Sequence, residues 1–358
     1  MDNGKGRIIG VDVAKIVAML LVVAVHVNGF GLPYAGDTPP GLCYLLLRSF
    51  LGAIFMACIN IFAIVSGYVG IESSFRLSRI IRLWLQVVFT GILVLACLEL
   101  FTDVSIQRID YIKACVPIAK RQYWYITAYF MLCFVMPLIN AGIRALTKIE
   151  LRNMLLLLLA VICGESFLVS AGVLGVEFGY SFEWLLVLYV VGAYIRLYNP
   201  LDKPKASLLC AVVVSAMVAG WMPLACNKVP LPSGIPRLFE FGGYTSPFTV
   251  IIALCIFALC LKVRIVSPKG KMVIGLLSAT TLGVYLIHVQ PVFFKSIFIK
   301  VFGNLTVSWG GGYLCSIIIS TIAIYLVCTL IDCLRIILFR TFERLLDSFC
   351  EKRGNAIS

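Results

Sequence analysis

Apolar residues fall in long runs along this chain, separated by polar stretches or by Pro and Gly. A bilayer core of about 30 Å takes roughly 20 apolar residues per helix, which makes runs of that length the first element to look for. Ten lie near residues 9–29, 45–70, 80–101, 122–141, 151–172, 182–198, 206–224, 247–266, 273–290 and 309–334, the run at 182–198 being the shortest. The pattern predicts an all-α, polytopic membrane protein with ten transmembrane helices. One membrane domain is expected over 1–335, followed by a cytoplasmic C-terminal tail over 336–358 whose amphipathic stretch, 336–352, lies along the inner surface. The first run is not expected to be a cleaved signal, because it holds Asp12 and Lys15 and ends at Asn28 and Gly29 with no small-x-small site.

Lys and Arg flanking such helices stay on the cytoplasmic side. With the N-terminus inside, 20 of the 30 basic residues fall in inner segments and 8 in outer ones, with Lys15 and Arg48 left inside helices. Both termini are therefore expected in the cytoplasm. Composition agrees: 61% of residues are hydrophobic, 13% are charged and the mean hydropathy is +1.02. A soluble protein carries about 25% charged residues. The net charge of +13 reads as a topology signal and leaves a basic inner face that could hold an anionic ligand, while the chain is too apolar to build the polar surface of a nucleic-acid binder. The 14 cysteines show no C-x-x-C spacing and mostly lie in apolar runs, where a thiol behaves as a small hydrophobe. Two histidines exclude a His-rich metal site, and no Gly-rich phosphate loop occurs.

A titratable side chain within a membrane span is costly and therefore a functional candidate. The first run has three, Asp12, Lys15 and His26. At 100° per residue, His26 returns to within about 20° of Lys15, and Asp12 lies about 40° from His26 on the same side. A rise of 1.5 Å per residue separates Lys15 from His26 by roughly 16 Å, so the ammonium sits near the inner face and the imidazole near the outer one. Asp12 and Lys15 are spaced to pair with each other. An imidazole kept neutral by its surroundings has the form a general base needs.

Arg76, Arg79 and Arg82 repeat every three residues, which on a helix gathers their guanidinium forks on one side. They serve either as a positive-inside anchor or as a site for a cytoplasmic phosphorylated ligand. The second run carries Arg48 near its outer end, Asn60 in its middle and Ser66-Gly67-Tyr68 at its inner end, where Gly67 permits close helix approach. The ninth run ends in Gly283-Val-Tyr-Leu-Ile-His288, at the same outer level as His26, and both histidines are expected to line one cavity.

The segments VDVAKIVAMLLVVAVH (11–26), CINIFAIVSGYVGI (58–71) with RLSRIIRL after it, YWYITAYFMLCFVMPLIN (123–140), FEWLLVLYVVGAYIRLY (182–198), YTSPFTV (244–250) and TLGVYLIH (281–288) together resemble the integral-membrane acyltransferase family 3, and more closely its polysaccharide O-acyltransferase branch. The resemblance implies a ten-helix core in the cell's inner (plasma) membrane that moves an acyl group, usually acetyl, from cytoplasmic acyl-CoA to a sugar hydroxyl of the bacterial envelope. It implies Lys15 and His26, with ten residues between them, as the central motif, and Arg79 and Arg82, with Arg76, as ligands of the CoA phosphates. Relatives more often carry Arg at the first of these positions, and an ammonium lacks the guanidinium's fork. Relatives also often have a carboxylate after the second histidine, where this chain has Val289 and Gln290.

The mechanism this suggests threads the pantetheine arm through the bundle toward His26, which deprotonates an acceptor hydroxyl, with Asp12 and Lys15 completing the catalytic set. Arg48, Asn60, Trp124, Tyr129 and His288 are the candidates for holding the acceptor or the oxyanion. Direct attack and an acyl-histidine route both stay open. Neither histidine has Asp five places on, Gly31 and Phe293 standing there, so the site must be assembled from distant helices. Acyl-CoA is a donor substrate rather than a bound cofactor. The other expected partners are a saccharide acceptor (capsular polysaccharide, lipopolysaccharide or peptidoglycan), the lipid bilayer and, as an option, further copies of the chain. The alternative is a flippase of a lipid-linked saccharide, in which Lys15, Arg48 and His26 bind a moving anionic substrate. No similarity between the two halves of the chain supports it.

Overall fold

The computed structural model describes residues 7–32, 41–168, 176–226, 243–305, 307 and 310–354, and among them there is no strand. The helices are α1 (Ile9–Phe30), α2 (Leu42–Phe55), α3 (Cys58–Gly70), α4 (Leu77–Phe101), α5 (Arg108–Cys115), α6 (Trp124–Ala145), α7 (Lys148–Leu168) and α8 (Phe182–Tyr198). They continue with α9 (Lys205–Cys226), α10 (Pro247–Leu261), α11 (Pro268–Ala279), α12 (Thr281–His288), α13 (Pro291–Phe293), α14 (Ile299–Gly303) and α15 (Gly310–Gly354), with a π-helical stretch at Phe294–Phe298. Local chemistry sets several of these ends. Pro247 and Pro268 open α10 and α11, where the missing N–H costs nothing, and Asn199 closes α8 in the left-handed conformation.

Six segments among the described residues are long and apolar enough to cross a membrane: Ile9–Phe30, Leu42–Gly70, Leu77–Phe101, Trp124–Ala145, Pro268–His288 and Gly311–Ile337. They coincide with six of the ten expected runs. The run at 45–70 is divided between α2 and α3, and that at 273–290 between α11 and α12. Two further runs correspond to shorter apolar helices, Lys205–Gly220 and Pro247–Leu261. The remaining two, at 151–172 and 182–198, correspond to α7 and α8, with residues 169–172 outside the described set. The helix at the last expected run, α15, continues unbroken to Gly354, past residue 336.

The shortest expected run forms a largely buried helix. Trp184, Leu188 and Tyr189 of α8 are fully buried, and the helix crosses α3 at a pair of glycines. A Cβ on Gly192 would lie 2.0 Å from the Ile64 carbonyl oxygen, and one on Gly67 1.8 Å from that of Tyr189, so the two backbones touch where any side chain would separate them. Arg335 and Asp332 form an ion pair inside the bundle: Arg335 donates through Nε at 2.6 Å and Nη2 at 2.9 Å, both residues being buried in α15. Arg144 donates to the Ile71 carbonyl at 2.7 Å and Arg196 lies 5.1 Å from the centre of the Tyr68 ring, which gathers basic side chains at the end of α3 that leads into Arg76.

Gly192→Ala is expected to destabilise the folded protein by about 1–3 kcal/mol through forced separation of α3 and α8. Gly142→Ala, where nothing lies within 4 Å of the added carbon, is not expected to lower stability. Thermal unfolding of the two variants in the same detergent, followed by tryptophan fluorescence, measures the difference.

Candidate active site

The spine of the site is α1, which presents Asp12, Lys15 and His26 to neighbouring helices. Asp12 does not depend on Lys15 for its partner. Arg7 donates to one carboxylate oxygen and Ser278 Oγ to the other, at 2.7 Å, while Arg7 also donates to the Gly275 carbonyl at 3.0 Å. The expected Asp12–Lys15 pair is thus replaced by one that ties the start of α1 to α11. The bond to Asp12 raises the Arg7 guanidinium above its ordinary pKa. Lys15 makes no hydrogen bond or ion pair with any described residue, and its side chain is left to the interior cavities.

Three cavities follow one another along α1. The first, of about 460 Å³, opens among Arg76, Arg79, Arg82, Gln86 and Asn140 and reaches Lys15, Ser66 and Tyr129. The second, of about 210 Å³, begins at the same Lys15, Ser66 and Tyr129 and ends at Val22, Ile59 and Tyr285. The third, of about 180 Å³, shares those last three residues and is lined by His26, Gln122, Tyr123, Trp124 and Tyr244. Each cavity shares lining residues with the next, so the three form a row from the arginine turn to the imidazole. Lys15, where the first two cavities meet, stands roughly 16 Å from His26 along α1 at 1.5 Å per residue.

At the far end the two histidines meet. His26 Nδ1 lies 3.1 Å from His288 Nε2, and His288 Nδ1 lies 2.6 Å from the Val284 carbonyl oxygen one turn earlier in α12. His288 is wholly buried and sits behind His26, so only His26 faces the third cavity. Aromatic rings close the pair off: Phe294, from the π-helical stretch, meets His26 edge-on at 5.3 Å, and Phe298 lies 6.4 Å from His288. Gln290 accepts from the Phe293 N–H at 2.8 Å and caps α13.

The remaining candidates divide by position. Trp124 lines the third cavity beside His26, and Tyr129 lines the first and second. Arg76, Arg79 and Arg82 stand together at the entrance of the first. Arg48 instead donates to the Asn28 carbonyl at 2.8 Å and to Tyr44 Oη at 3.3 Å. Asn60 is wholly buried, donates to the Tyr244 carbonyl at 2.8 Å and accepts from Trp184 Nε1 at 3.0 Å. Its amide is consumed in holding Tyr244 against α3 and α8, a positioning task that explains why an Asn occurs in an apolar helix.

Several lining residues carried no signal in the sequence. Gln86 Nε2 in the first cavity and Gln122 Oε1 in the third are buried without a partner among the described residues. Tyr244, Tyr285 and Cys58 line the third cavity, and Tyr180 meets Tyr244 at 5.0 Å and Trp124 at 4.8 Å beside it. Cys58 and Tyr285 lie in runs whose apolar character already accounts for a thiol or an aromatic, and Tyr180 and Tyr244 lie just before such runs, so only the three-dimensional arrangement distinguishes them.

A helical membrane protein with a row of interior cavities between a basic end and a buried imidazole pair is the class that fold and site define. The chain belongs to acyltransferase family 3: the family's model, an acyltransferase domain, matches residues 8–333. No match to the chain is found among curated proteins or among solved structures. The protein is therefore a membrane acyltransferase.

Asn60→Leu is expected to cost about 1–3 kcal/mol of stability, because the buried Trp184 N–H loses its acceptor. It is also expected to reduce activity by loosening Tyr244. Thermal unfolding together with turnover of the same preparation checks both.

Proposed function

We propose that this protein is an O-acyltransferase that takes an acyl group, acetyl foremost, from acyl-CoA in the cytoplasm and delivers it to a hydroxyl of a saccharide at the opposite face of the plasma membrane. The observation that carries this is the run of three cavities between the arginine turn and His26. The nucleotide end of the donor is held by Arg76, Arg79 and Arg82, whose forks suit phosphate. Lys15 Nζ and Gln86 Nε2, both donors without partners among the described residues, suit the phosphates and amide carbonyls farther along the same molecule. The first cavity falls within the range of ligand pockets, roughly 300–1,000 Å³, and the two smaller ones suit a narrow arm.

His26 takes the proton of the acceptor hydroxyl as its oxygen attacks the thioester carbonyl carbon. The carbon–sulfur bond then breaks, and the departing thiolate takes the proton back from His26. The acyl group has moved from sulfur to oxygen and the proton from hydroxyl to thiol. Trp124, Tyr180 and Tyr244 form an aromatic wall beside the reacting end, of the kind that stacks on the apolar face of a sugar ring.

His26→Ala is expected to lower transfer by about 10²–10⁴-fold while the protein elutes unchanged in detergent. Wild-type turnover by that variant would remove the assignment. Arg79→Ala is expected to raise KM for acetyl-CoA about tenfold or more with little change in kcat, since a charge-assisted bond to phosphate contributes about 1.5–3 kcal/mol. The assay follows free thiol released from acetyl-CoA by purified protein with a saccharide acceptor. A flippase would move a lipid-linked saccharide between leaflets and release no thiol.

A further inference from the structure

We propose that His288 is a positioning residue that holds His26 in the tautomer with its proton on Nδ1 and its lone pair on Nε2. The inference rests on the acyltransfer reading above and assigns the origin of the base. A carbonyl oxygen only accepts, so the 2.6 Å contact with Val284 requires the proton of His288 to sit on Nδ1. The Nε2 of a neutral His288 is then an acceptor. Facing it at 3.1 Å, His26 Nδ1 must be the donor. The lone pair of His26 is left on Nε2, which hydrogen-bonds to no described residue, on the ring that lines the third cavity.

This orders three groups in one direction, from the Val284 carbonyl through His288 to His26, in the way an orienting group holds a catalytic base. A neutral imidazole here takes the position that a carboxylate fills in many such arrangements. The rest of the local structure keeps the order intact. His288 is shut off from the cavity, and Phe294 and Phe298 cover the pair from the other side, so water has no ready access to either Nδ1. When His26 Nε2 takes the hydroxyl proton, the imidazolium keeps its Nδ1–H directed at His288 and returns the Nε2 proton to the thiolate. No net proton enters or leaves the pair.

The chain has 2 histidines, which makes the test direct. Nitrogen-15 spectroscopy of the full-length, histidine-labelled protein in detergent should show both rings neutral with Nδ1 protonated and Nε2 bare, the minor tautomer in water. Two rings protonated on Nε2 would overturn the proposal. Activity gives a second measure. His288→Gln, which offers His26 a neutral acceptor, should keep kcat within about tenfold, while His288→Leu should lower it by about 10–100-fold. KM for acetyl-CoA should stay constant in both, because the arginine turn is remote. Equal activity in the Gln and Leu variants, whether high or low, would also overturn it. If His26→Ala were fully active the acyltransfer assignment itself would fall; an inactive His26→Ala protein with Nε2-protonated rings would remove only the role of His288.

Discussion

The arrangement of the site depends on how Asp12 is satisfied. An unpaired carboxylate within an apolar bundle is costly, and the nearest basic residue along α1 is Lys15. Had the two paired, the ammonium would be held at the helix and lost to the cavities. Arg7 and Ser278 occupy the carboxylate instead, and the same contacts fasten the start of α1 to α11. Lys15 is thereby free to face the junction of the first and second cavities, where an anionic or acceptor-rich ligand can reach it.

The opposite end is built on the same economy. Asn60, Trp184 and the Tyr244 carbonyl satisfy one another completely, and His26, His288 and the Val284 carbonyl form a chain of bonds. Buried polar groups of this kind are stable only when their partners are in place, so each network also fixes the helices that carry it. The close crossing of α3 and α8 at Gly67 and Gly192 brings Trp184 within reach of Asn60. The outer cavity wall is therefore set by contacts that never touch the cavity.

Much of this was visible in the amino-acid order. The periodicity of α1 put Lys15 and His26 on one side at opposite ends, and the three-residue spacing of Arg76, Arg79 and Arg82 put them together; both follow from helix geometry over short stretches of chain. Gly67 marked a close approach for the same local reason. Arg48 and Asn60 read as buried polar groups with open chemistry, whereas Arg48 bonds Asn28 and Tyr44, and Asn60 bonds Tyr244 and Trp184, 184 and 124 positions away. Such partners leave no pattern in one sequence. The short run at 182–198 could not announce that Trp184, Leu188 and Tyr189 are fully buried.

By itself, then, the order of residues determined a helical membrane protein, because hydrophobic run length is a property of a single stretch, and it carried the segments that resemble this acyltransferase family. Only the tertiary structure decided that Ser278 of α11 shares Asp12 with Arg7, that His288 stands behind His26 and not beside it, and that three cavities with common walls lie in a row. Those outcomes turn on which helices touch, and a contact between residues more than two hundred positions apart is settled by packing and by the need to pair every buried polar atom.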